Sequence, residues 1–140
     1  MNRVYFRMVA IVVCINCLLS CTMKVTERND YQQVMKVHDD AMARMGEIYE
    51  VKRTIEDLSN SIEDSIQLVE AKEIITSLEM ADEGMMQWMA AFRIPDDVSN
   101  ASLESYFFEE QKKVNIVSNS INEAIDKANK FVKEIKSYQE

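Results

Sequence analysis

The stretch DYQQVMKVHDDAMARMGEIYEVKRTIEDLS, residues 30–59, decides the fold. Its apolar side chains, Tyr31, Val34, Met35, Ala41, Met42, Met45, Ile48, Tyr49, Ile55 and Leu58, recur with His38 among them at intervals near three and four. Because 3.6 residues complete a helical turn, that spacing gathers them into one wide stripe on an α-helix. The pattern predicts a helix over residues 30–59 with Asn29 or Asp30 as its N-cap. Ser59, Asn60 and Ser61 end it, since their side chains compete with the backbone for hydrogen bonds.

A second stripe runs through Leu68, Ala71, Ile74, Ile75, Leu78, Ala81, Met85, Trp88, Met89 and Phe92 and stops before Pro95, which disfavours helix at Ile94. After a loop reaching Ala101, with Ser102 as the expected cap, a third and longest stripe includes Phe107, Val114, Val117, Ile121, Ala124, Ile125, Phe131 and Ile135. Glu109 with Lys113, Glu123 with Lys127 and Asp126 with Lys130 stand at the favoured i, i+4 spacing on its exposed side. No segment alternates as a strand does. Two glycines and one proline leave few places to turn. The expected fold is all-α, an antiparallel up-down-up three-helix bundle over residues 30–140. A long helical hairpin that dimerises is the alternative, so the chain is a monomer or a homodimer.

Upstream, Arg3 and Arg7 precede an apolar run over residues 8–19. The run falls short of the roughly 20 residues that cross a bilayer and has the form of an export signal. It ends Leu18-Leu19-Ser20-Cys21, which resembles the lipobox of bacterial lipoproteins. Cys14 and Cys17 follow Val13 and Asn16, which are not the small residue that such a site requires. The resemblance implies that residues 1–20 are removed and that Cys21 becomes a lipidated first residue. Residues 21–29 then form a tether, and the chain belongs to the cell envelope. With no acidic run after Cys21, the expected place is the outer membrane, facing the periplasm.

Removal of residues 1–20, which carry two arginines and no acid, takes the formal charge from −8 to −10. A surface of that sign repels phosphate backbones and anionic headgroups, which excludes nucleic acid as a partner and leaves the lipid on Cys21 as the membrane contact. All three cysteines lie at or before Cys21, so no disulfide supports the domain. His38 is the only histidine, and no glycine-rich loop is present. Asp39 and Asp40 project about 100° and 200° away from His38 and are not expected to orient its ring. The expected role is non-enzymatic: a binding or interaction module for an envelope protein partner.

Methionine is the unusual residue, with ten in 140 and seven of them between Met35 and Met89. His38, Met42 and Met45 share one face, and Met85, Trp88 and Met89 share another. A turn near Ser61 would set His38 opposite Gly84 and Met85, with Gly84 making room for the ring and Asp82 or Glu110 as its hydrogen-bond partner. Imidazole and thioether ligands suit Cu(I), and an indole face adds a cation-π contact, so His38, Met42, Met85 and Met89 form a candidate soft-metal set. The same residues also serve as ordinary core filling. The His-Asp-x-x-Met and Met-Met-x-Trp-Met patterns resemble small bacterial lipoproteins of unassigned function, some labelled "viral A-type inclusion protein", a label that transfers no activity.

Lipidation is directly testable by growing cells on radiolabelled palmitate. The full-length chain is expected to incorporate label, to lose it in Cys21→Ala, and to keep it in Cys14→Ala and Cys17→Ala.

Overall fold

A computed structural model describes residues 24–96 and 98–139. The export segment at 1–20 and Cys21 lie outside the described residues. The chain first makes a 3-10 turn at Val25–Glu27, followed by α1 (Asn29–Met42), α2 (Met45–Ser59), α3 (Ser65–Ala91) and α4 (Asn100–Gln139). Among the described residues there is no strand, and no helix is long and apolar enough to cross a membrane.

The helices meet along seams whose residues step strictly by four and three. Val34, His38, Ala41, Met45, Ile48, Lys52 and Ile55 do so on α1 and α2. Ala71, Ile74, Leu78, Ala81, Met85 and Trp88 do so on α3, and Leu103, Phe107, Glu110, Val114, Val117, Ile121, Ala124, Ala128, Phe131 and Ile135 on α4. A seven-residue repeat keeps one face turned inward and favours shallow helix crossings of about 20°. Ile48, Ile55, Ile74, Leu78, Phe107, Val114 and Ile121 are fully buried as a result, and Ile125 beside Ala124 widens the seam. At 40 residues α4 spans about 60 Å and packs against all three other helices.

Side-chain contacts across the seams record the register. His38 meets Met89, Tyr49 meets Asp82 and Lys52 meets Glu79, so numbers fall along α3 as they rise along α1 and α2. Arg28 meets Asn100, Gln33 meets Gln111 and Arg44 meets Asn122, so numbers on α4 rise together with those on α1.

The structure departs from the sequence reading at several places. The helix expected over 30–59 is interrupted at residues 43 and 44, where Arg44 N–H bonds the Ala41 carbonyl and Glu47 N–H bonds that of Arg44, both three residues back. Gly46 weakens helix just beyond the break. Arg44 fastens it by reaching Glu47, Asn122 and, at 3.7 Å, Asp126. The four-three spacing passes through the interruption unchanged.

The turn between α2 and α3 occupies residues 60–64, with Asp64 capping α3 through Ile66 N–H at 2.8 Å. The residue that meets His38 is Met89 and not Met85; a turn centred on residue 62 instead of Ser61 moves the facing position by two residues and so supplies half of that displacement. Ser99, not Ser102, caps α4, its hydroxyl accepting Ser102 N–H at 3.2 Å.

Part of the expected tether is folded as well. Val25 packs against the core, and Arg28 makes a bidentate pair with Asp30 at 3.0 and 2.7 Å while standing 6.0 Å from the Phe107 ring centroid. The guanidinium hydrogen bond is the main cause holding the Asp30 carboxyl below its ordinary pKa. The ion pairs on α4 also differ, because Lys113 turns to Glu110, Lys112 takes Glu109, and Asp126 faces Arg44.

Urea unfolding followed by circular dichroism tests this core. Ile48→Ala and Leu78→Ala are each expected to lower stability by about 2–5 kcal/mol. Ile66→Ala, on the exposed side of α3, should stay within about 0.5 kcal/mol of the parent.

Candidate functional site

Not every inward position is apolar. His38 stands on α1 between Val34 and Ala41, and Glu110 stands on α4 between Phe107 and Val114. Trp88 and Met89 are adjacent on α3, one facing α4 and the other α1. These four residues build a polar and aromatic cluster towards the end of the bundle where the 92–99 connection and the Arg28 pair lie.

His38 Nδ1 lies 2.8 Å from Asp39 Oδ1. The expectation that Asp39 would not reach the ring is therefore corrected. The 100° separation describes where Cβ atoms point, whereas Nδ1 lies close to the backbone and a short carboxylate on the next residue bends back to it. On its other side the ring presents Nε2 to Met89 Sδ at 3.2 Å. Its centroid is 5.6 Å from that of Trp88, with the planes tilted by 37°.

Glu110 is only 5 % exposed. Trp88 Nε1–H donates to its Oε2 at 3.0 Å, and Lys113 Nζ donates to its Oε1 at 2.7 Å. A buried carboxylate is costly unless paired and hydrogen-bonded, and here both conditions are met. The Glu110 hydrogen bond is the main cause raising the Lys113 ammonium pKa. Burial, with the Glu110 charge second, raises the Tyr106 phenol, whose oxygen accepts Arg93 N–H at 3.1 Å. Neither Glu110 nor Asp82 partners His38: Glu110 is taken by the indole and the ammonium, and Asp82 accepts from Tyr49.

Of the residues singled out in the sequence, the fold brings His38 and Met89 into contact. Met85 is fully buried in the apolar core. Met42, one turn along from His38, lies at the surface with 36 % exposure. Gly84 does not make room for His38. A Cβ there would meet Val117 at an ordinary 3.9 Å, so the glycine faces α4.

The sequence reading missed the aromatic chain that continues from His38. Trp88 and Phe92 lie 5.0 Å apart, Phe92 and Tyr106 6.0 Å, Tyr106 and Phe107 5.3 Å, and Phe107 and Tyr31 5.8 Å. The signal was present, since Trp88, Phe92, Tyr106 and Phe107 flank the Pro95 turn and must converge when the chain reverses there.

Among the described residues no three His, Cys, Asp or Glu side chains converge as a hard-metal site. Comparison with protein-family models, with curated proteins and with solved structures finds no match to this chain. The protein is classed by its architecture alone, as an all-helical bundle with one histidine–thioether–indole cluster.

The Trp88–Glu110 pair is open to a double-mutant cycle. Glu110→Ala is expected to cost about 1–3 kcal/mol, since it leaves a buried indole N–H unsatisfied. Trp88→Phe in that background should cost less than Trp88→Phe alone, giving a coupling above about 0.5 kcal/mol in urea unfolding.

Proposed function

We propose that this chain is a lipid-anchored cell-envelope protein whose helical domain is a non-enzymatic binding module. Residues 1–20 direct export and Cys21 carries the acyl chains at the outer membrane, facing the periplasm. Residues 30–140 form an antiparallel up-down-up three-helix bundle. The opposite senses of the α1–α3 contacts and the shared sense of the α1–α4 contacts support that arrangement.

The observation that carries the binding reading is a second stripe on α3. Ile66, Val69, Glu73, Thr76, Met80, Glu83 and Gln87 also step by three and four, on the side turned away from the core. Ile66 is 75 % exposed, Val69 56 % and Met80 70 %. Shallow grooves lie along the stripe between Val69 and Thr76 and between Thr76 and Gln87. A helix needs one apolar seam to join its own bundle, and a further heptad-spaced face suits another helix. The stripe itself carries Glu73 and Glu83, and Glu79, which pairs with Lys52, borders it. The complementary partner is therefore an amphipathic helix of an envelope protein with Lys or Arg beside its apolar side chains.

A photo-crosslinking residue placed at Met80 of the full-length chain in the producing cells tests this. A discrete adduct is expected at Met80 and not at the exposed Lys133, with the crosslinked partner residue in a basic-flanked amphipathic helix. Val69→Glu should remove the adduct without lowering the melting temperature by more than a few degrees. Equal adducts from Met80 and Lys133, or none from Met80, would contradict the proposal.

A further inference from the structure

The α3 stripe does not involve the His38 cluster, and the contact between His38 and Met89 has a chemical peculiarity of its own. An ionised carboxylate can only accept hydrogen bonds, so the 2.8 Å contact with Asp39 places a hydrogen on His38 Nδ1. In the neutral ring the lone pair is then on Nε2, and it is aimed at Met89 Sδ 3.2 Å away, which also offers lone pairs. Two acceptors face one another. A cation between them satisfies both.

The geometry points to a binding site for a soft monovalent cation, Cu(I), with His38 Nε2 and Met89 Sδ as its first two ligands. Imidazole and thioether are the donors such an ion selects. A first-row ion of similar size, zinc, sits about 2.0–2.1 Å from imidazole nitrogen and about 2.3 Å from a cysteine thiolate. Both donors are therefore within reach of one ion, and the flexible methionine can open the angle between them. Met42, one turn from His38 and exposed at the surface, is not in contact with the pair and is not assigned as a ligand. Met85, fully enclosed by the core, keeps its packing role.

The surroundings complete the site. Asp39 fixes the tautomer and the orientation of the ring, as second-shell carboxylates do for metal-bound histidines, and its charge offsets that of the ion. The Trp88 ring beside the imidazole offers a cation-π face and covers the site from the core. Glu110 holds that ring in place through the indole nitrogen. Binding is a simple association: imidazole Nε2 and the thioether donate lone pairs, a hydrogen carried on Nε2 leaves to solvent, and no electron is transferred.

The test is an anaerobic titration of the mature, acylated chain in detergent micelles with Cu(I) against a competing bidentate chelator. Trp88 is the only tryptophan and reports by its emission. One Cu(I) per chain is expected to quench it. His38→Gln and Met89→Leu should each abolish saturable binding, the latter with little change in packing because the volume is conserved. Asp39→Asn should weaken binding about 10–100-fold, and Met80→Leu and Met86→Leu should leave it unchanged. In ¹⁵N spectra with Ag(I) as probe, Nε2 should shift while Nδ1 keeps its hydrogen. Absence of a one-to-one complex, or a complex that survives both His38→Gln and Met89→Leu, overturns the site. So does an imidazolium proton found on Nε2 that Cu(I) does not displace.

Discussion

The four-three spacing of inward side chains is the constraint from which the rest of this molecule follows. The described domain has no cysteine, so nothing covalent holds its helices together. Side-chain packing along three long seams has to do so, and a seam stays closed only while its residues keep returning to the same face. The repeat survives even where the helix does not. At residues 43 and 44 the backbone tightens for one turn, yet Ala41, Met45 and Ile48 remain in step.

Polar residues at seam positions are then meaningful departures. Lys52 escapes by reaching outward to Glu79 and Glu56. Glu110 stays inside, one carboxylate oxygen held by Lys113 and the other anchoring the one tryptophan between α3 and α4. His38 stays at the α1–α3 seam, held on one side by Asp39 and facing a sulfur on the other. These last two meet through Trp88, so a single indole links a structural carboxylate to the proposed ligand pair. The contacts of this polar layer form only when these residues of three helices lie at one level, which is how polar seam positions specify register in other bundles.

Much of this was legible in the residues. Apolar periodicity identified the helical segments and the long last helix, because burial of one face leaves a repeating signature, whereas α3 ends at Ala91, short of the Phe92 and Ile94 to which its stripe and Pro95 would carry it. The choice of His38 and Met89 as chemically interesting was also readable. Their exact opposition was not, because it depends on where a five-residue connection is centred, and moving that centre by one residue moves the facing position by two. The Asp39 contact was hidden for a different reason: helical projection angles describe Cβ directions and say little about short polar side chains that fold back along the backbone. The Ser99 cap and the Arg44 interruption belong to the same kind, decided by local hydrogen bonds among residues that several conformations would suit.

The register of α1 against α3 carries both the architecture and the cluster, and nuclear Overhauser contacts on a methyl-labelled sample read it directly. The account predicts cross-peaks from the Met89 methyl to the His38 ring and to the Trp88 indole, with Tyr49 near Asp82. A His38 ring that instead contacts the Met85 methyl, with Met89 distant, would contradict it and return the helices to the register centred on Ser61.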